Sequence, residues 1–163
     1  MKKKVFLTGA TGHMGWATMN EFLQYPDLFE VTVLARPSKK NRKLLSAYGE
    51  KIKIVWGDLT VYDDVLRGVT GSDYVLHVGG LVSPQTDYYP NRTRRVNRLA
   101  AENVVKAILA QPNNEEIKVC YIGSVAQTSD RNEPIHWGRT GDPICISVYD
   151  HDAKSKTIAE RTF

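Results

Sequence analysis

The chain has 163 residues, 42% of them hydrophobic and 25% charged, which suits about one folded domain and excludes a disordered chain. Twenty-two Lys and Arg against 18 Asp and Glu leave a formal charge of +4, and two cysteines cannot build a disulfide framework or a C-x-x-C metal pair. The longest apolar runs, such as Tyr74–Val78, are strand-sized, so no segment reads as a membrane span.

The chain alternates short apolar runs with helical patterns, which predicts a parallel sheet with crossover helices. Lys4–Thr8 reads as the first strand. The apolar stretch Val5-Phe6-Leu7 behind the opening lysines is too short for the core of a signal peptide, so a cytoplasmic location is expected. A helix from about Gly12 to Gln24 stops before Pro26, because proline disfavours a helical predecessor. Val31–Ala35 is the second strand and Lys39–Tyr48 a basic helix. Lys51–Trp56 is the third strand, with Ile52, Ile54 and Trp56 on one face. Thr60–Arg67 is a short helix, with Asp63 and Asp64 suited to the dipole at its start.

Asp73–Val78 is the fourth strand. Thr93–Ala110 is the longest helix, with an apolar stripe of Val96, Leu99, Ala100, Val104, Ala107 and Ile108. Pro112 to Glu116 is a turn and Ile117–Ile122 the fifth strand. Residues 126–146 read as a loop and Asp150–Phe163 as a closing helix. The expected fold class is α/β, a doubly wound parallel Rossmann sheet of order 3-2-1-4-5. Ligands then sit beyond the carboxyl ends of strands one and four.

Thr8-Gly9-Ala10-Thr11-Gly12-His13-Met14-Gly15 lies between the first strand and its helix, with the spacing G-x-x-G-x-x-G. Such glycines serve a tight turn, close approach of backbone to a pyrophosphate, and close helix–strand packing. The helix start adds free N–H groups and partial positive charge. The bland alternative is a βα turn with no ligand.

Two basic clusters stand out, Arg36 with Lys39, Lys40, Arg42 and Lys43, and Arg92 with Arg94, Arg95 and Arg98. Either can be a solvated face or a phosphate-attracting patch. The residue closing the second strand discriminates between dinucleotides: an acid holds the NAD ribose, whereas an arginine can hold a 2′-phosphate. Arg36 stands there, so NADP is expected, with NAD the alternative.

These segments, with Gly57-Asp58-Leu59, His77-Val78-Gly79-Gly80, Val96-Asn97, Tyr121–Ala126 and Ser155–Glu160, resemble the extended short-chain dehydrogenase/reductase family. That family includes nucleotide-sugar epimerases, dehydratases and dihydroflavonol-reductase-like enzymes. The resemblance implies that residues 1–163 are the cofactor-binding part, with the substrate-binding part lying beyond residue 163. It implies cofactor contacts from Gly9, Thr11, Gly12, His13, Met14, Gly15 and Arg36. Asp58 would bond the adenine amine with Leu59 beside it, and Gly79 and Gly80 would line the nicotinamide ribose. Asn97 would support the site from the long helix, and a homodimer would pack that helix with the last one. Bland readings stand beside these: Asp58 as a helix cap, His77 as a packed core histidine, and Asn97 on a helix surface. Cys120 reads as a buried small hydrophobe, and Cys145 as a thiol near the cleft.

The family's catalysis uses Ser, Tyr and Lys. Ser124 matches the serine and Lys156 the lysine, which also holds the cofactor ribose. The tyrosine expected four residues before Lys156, on the same helix face, is replaced by Asp152. Tyr149, seven residues before Lys156, lies roughly 10 Å away along a helix axis. An Asp beside a lysine is a poor proton donor at neutral pH unless burial raises its pKa. Three readings stay open. One is an NADP(H)-dependent oxidoreductase, epimerase or dehydratase acting on a small carbonyl or sugar nucleotide, with Asp152 or Tyr149 handling the proton. The second is a non-catalytic NADP(H)-binding sensor or regulator. The third is a phosphate- or nucleic-acid-binding protein, which the lack of interleaved aromatics in the basic runs disfavours. No metal site is expected.

Overall fold

In a computed structural model, which describes residues 1–128, 141, 144, 146 and 149–163, strand and helix alternate along the chain. The elements are β1 (Lys3–Thr8), α1 (His13–Phe22), β2 (Phe29–Ala35), α2 (Lys39–Ser46), β3 (Ile52–Trp56), α3 (Tyr62–Val69), β4 (Tyr74–His77), α4 (Gln85–Tyr88), α5 (Pro90–Leu109), β5 (Lys118–Tyr121) and α6 (His151–Glu160). The five strands form one parallel sheet in the order β3-β2-β1-β4-β5, as expected.

Side chains alternate across the sheet with the two-residue strand period. Phe6, Leu34 and Val75 face α3 and α5, where Val65, Val69, Val104, Ala107 and Ile108 complete one apolar core. Leu7, Val31, Val33 and Ala35 face α1 and α2, where Met19 and Leu45 complete the other. Phe6 is fully buried, and a Cβ on Gly68 would lie 2.1 Å from its ring. Glycine at that position of α3 is what lets the helix settle onto the sheet. Burying a ring of this size contributes about 1.5–3 kcal/mol.

Several boundaries differ from the sequence reading. The α1 helix ends at Phe22 because Gln24 and Tyr25 donate to carbonyls only three residues back, which tightens the last turn before Pro26. The α5 helix starts at Pro90, since proline's fixed φ and missing N–H suit the first helical position. The α3 helix starts at Tyr62, because Thr60 is held in a turn on Asp58. The short α4 carries no periodic signal and was not expected; Ser83 bonds Thr86 and Asp87 there. Residues 125–128 form a 3-10 turn within the expected loop, whose remainder lies largely outside the described residues, as does Cys145.

Cys120 is a correction: it is exposed, not buried. Among the described residues β5 pairs with β4 alone, and Lys118 and Val119 beside Cys120 are exposed too. No helix among the described residues is long and apolar enough to cross a membrane.

Candidate functional site

The carboxyl ends of β1 and β4 meet at a backbone-to-backbone contact. Gly9 has φ +77°, and a Cβ there would lie 2.7 Å from the Gly79 nitrogen. A Cβ on Gly15 would lie 2.1 Å from the Gly9 carbonyl oxygen, so only glycine lets α1 approach its own turn. Gly12 is the α1 N-cap, with no side-chain cap and no acid in the first turn. The amides at His13 and Met14, both exposed, therefore open the helix without a side-chain acceptor, and Thr11 flanks them half-buried. A narrow glycine cradle at an uncapped helix start fits the pyrophosphate of a dinucleotide.

The β2 end is equally ordered. Ser38 N–H and the Asn41 side-chain amide both donate to the Arg36 carbonyl, and Ser38 caps α2 by accepting from Asn41 N–H. Arg36, Lys39, Lys40, Arg42 and Lys43 are exposed and form no ion pair among the described residues. The Arg42 guanidinium lies 4.6 Å from the Trp56 ring centroid. The second basic group behaves differently: Arg98 pairs with Glu102, while Arg92 and Arg95 line a surface cavity of about 380 Å³ with Thr60, Val96 and Leu99.

Asp58 does not cap α3, whose N-cap Val61 carries no side-chain cap. Its Oδ1 accepts instead from the Thr60 N–H and hydroxyl. Leu59 packs on the α3–α5 core, and its carbonyl accepts from Asn103. Asn97 is only 3% exposed, so the helix-surface reading fails. Its Oδ1 accepts from Leu81 N–H, and its amide donates to the Leu81 carbonyl and the Ser155 hydroxyl. It thereby ties the segment after Gly80 to α6. His77 is buried as expected.

Lys156, Asp152 and Ser124 converge beside this segment. Lys156 is 6% exposed, its Nζ donates to the Ile122 carbonyl at 2.9 Å, and a Cβ on Gly80 would sit 3.8 Å from that nitrogen. Burial pulls the Lys156 pKa down, opposed by Asp152. Burial raises the Asp152 carboxyl against the opposing pull of the Lys156 ammonium, with Asp150 and Asp87 adding to the rise and the Ser124 hydrogen bond lowering it. Asp152 Oδ1 is buried with no hydrogen-bond partner among the described residues. Desolvation thus shifts the Asp152 carboxyl up and the Lys156 ammonium down, toward each other. Tyr149 is 87% exposed and stands outside this cluster.

Two residues that hold the cluster were not singled out in the sequence. Gln127, 4% exposed, accepts from Ser124 N–H and donates to Thr157 and Glu160, so it fastens the serine to α6. The Tyr121 hydroxyl donates to the Lys156 carbonyl, and burial raises its pKa. Their signal is tertiary: each bridges segments about 30 residues apart or more.

Residues 5–151 match the NAD dependent epimerase/dehydratase family. A UDP-glucose 4-epimerase of Rickettsia massiliae (strain Mtu5) is 32% identical over 127 residues, covering 75% of this chain and 36% of that protein. Another, from Rickettsia bellii (strain RML369-C), is 34% identical over 110 residues, covering 64% and 32%. The chain thus spans about a third of the length of the curated relatives it matches.

Among solved structures, the UDP-Glc/GlcNAc 4-epimerase from Campylobacter jejuni superposes with TM-score 0.77 at 18% identity, covering 98% of this chain and 47% of that one. A dTDP-glucose 4,6-dehydratase from Bacillus anthracis str. Ames, in complex with NAD, gives 0.75 at 11% identity, covering 98% and 48%. At these identities the likeness establishes the fold. With its match running from β1 to the first residue of α6, the chain belongs to the NAD dependent epimerase/dehydratase family.

Proposed function

We propose that this chain is the cofactor-binding part of an NADP(H)-dependent epimerase, dehydratase or reductase acting on a sugar nucleotide or small carbonyl compound, with Asp152 in the proton-handling role. The observation that carries the reading is the convergence of Ser124, Asp152 and Lys156 at the Gly79–Gly80 segment. The nicotinamide, when bound, supplies hydride exchange. Gly9, Gly12 and Gly15 with the α1 amides would hold the pyrophosphate, and Arg36 the 2′-phosphate. Asp58 and Leu59 would flank the adenine, and Lys156 would hold the ribose.

The protein's own work is then to orient an oxygen and move a proton. Ser124 donates to or accepts from the substrate oxygen. Asp152 Oδ1, buried and without a hydrogen-bond partner among the described residues, gives or takes the proton. Lys156 supplies positive charge where an alkoxide would develop. Tyr121 is spent on the Lys156 carbonyl, with its pKa raised, and does not compete for that role.

A sensor reading rests on the same Asp152, since the missing tyrosine would remove turnover while leaving the cradle intact. The experiment is to incubate the protein with NADPH or NADH and a panel of UDP-sugars, dTDP-sugars, aldehydes and ketones. Turnover abolished by Lys156→Ala supports the enzyme. Tight dinucleotide binding with no turnover on any compound, measured on a protein that carries the substrate-binding part as well, supports the sensor, and no dinucleotide binding overturns both.

A further inference from the structure

His77 is buried, as a core histidine would be, yet its contacts lead to the cofactor cradle. Thr8 and His77 are register partners on the adjacent strands β1 and β4. The Thr8 hydroxyl accepts from Gly79 N–H at 2.9 Å and lies 2.9 Å from His77 Nδ1. Thr8 is fully buried, so its single proton is left for that ring nitrogen. Burial holds His77 uncharged at neutral pH, with a pKa lowered to about 4, so one ring nitrogen is an acceptor; with Nδ1 in that role it takes the Thr8 proton. The ring is in turn fixed by Tyr121 and Phe163, with centroids 5.9 and 5.8 Å away.

This chain of contacts sets the closest approach between the two halves of the cradle. The Gly79 nitrogen would be 2.7 Å from a Cβ on Gly9, and Thr8 Oγ1 would be 3.0 Å from a Cβ on Gly79. The Thr8 hydroxyl thus ties Gly79 to the strand end that leads into the Gly9 turn. We propose that His77 is a positioning residue for dinucleotide binding: by orienting the Thr8 hydroxyl onto Gly79 N–H, it sets the spacing between the Gly9 turn and the Gly79–Gly80 segment. The inference rests on the cofactor reading and is independent of turnover. It assigns His77 no contact with the ligand.

The test compares Thr8→Val, Thr8→Ser and His77→Phe with the parent in titrations with NADPH and NADH at 10 °C, alongside urea unfolding of each. Valine keeps the volume and removes the hydroxyl, serine keeps the hydroxyl, and phenylalanine keeps a ring for stacking and removes the acceptor. The expected result is about tenfold weaker dinucleotide binding for Thr8→Val and His77→Phe, the worth of one hydrogen bond, with parent-like affinity for Thr8→Ser. Parent-like affinity in both Thr8→Val and His77→Phe overturns the proposal. So does an affinity in Thr8→Ser as weak as in Thr8→Val, because the effect then follows packing. If Thr8→Val does not fold, His77→Phe and Thr8→Ser decide in the same way. Failure of the parent to bind either dinucleotide overturns the cofactor reading itself, and this inference with it.

Discussion

Protonation of His77 tests how far the sheet's upper end depends on one buried neutral ring. Its pKa falls from 6.5 to about 4 in the fold, chiefly through burial, with the Lys156 charge second. A lowered pKa means that the folded state rejects a proton that the unfolded chain accepts. The stabilisation is therefore fully present above pH 6.5 and is lost as pH falls through the window down to about 4. At about 1.4 kcal/mol per pKa unit, the loss across that window is on the order of 3 kcal/mol.

The assay is urea unfolding of the parent and of His77→Phe at pH 7, 6, 5 and 4. Phenylalanine loses the Thr8 contact, which costs about 1 kcal/mol at pH 7, and it has nothing to titrate. Carboxylates protonate in both proteins, so the difference between the two pH profiles isolates His77. The parent's advantage at pH 7 should shrink by about 3 kcal/mol and reverse before pH 4. Parallel profiles for the two proteins would refute the reasoning.

Other expectations follow from the site. If the protein turns over, Asp152→Asn should lower the rate by roughly 10²–10⁴ and flatten the acidic limb of the pH–rate profile, with dinucleotide affinity unchanged. The same substitution should raise the thermal midpoint at pH 8 relative to pH 4, because a carboxyl with a raised pKa favours the fold only below that pKa. Gly15→Ala would press a methyl 2.1 Å from the Gly9 carbonyl oxygen, so it should cost about 1–3 kcal/mol in urea unfolding and abolish NADPH binding. Arg36→Ala should weaken NADPH about tenfold or more and leave NADH within about twofold, measured by fluorescence titration. Phe6→Ala should cost about 3–5 kcal/mol, read as a shift of the urea midpoint.

Much of this protein is local and so was readable along the chain. The parallel sheet followed from the alternation of apolar runs with helical stripes, because parallel strands need crossover helices, and right-handed crossovers left few strand orders besides 3-2-1-4-5. The glycine turn announced itself by spacing, and Ser124, Asp152 and Lys156 stood out through the resemblance to the family's Ser, Tyr and Lys. Sequence also exposed the conflict at Asp152, where the chain departs from the family it resembles. What it could not settle was whether that carboxyl can hold a proton, since composition contains no information about desolvation.

The tertiary structure buries Asp152 beside Lys156, and burial raises its pKa against the opposing charge. It left Cys120 exposed rather than buried. It turned Asn97 inward onto Leu81 and Ser155, and left Tyr149 out in solvent. It also joined Thr8 to His77 and Gln127 to α6 across contacts that no local pattern encodes. Periodicity along one chain specifies which face of an element is apolar. Only the packed sheet decides which polar groups lose their water together, and that loss is what tunes the site.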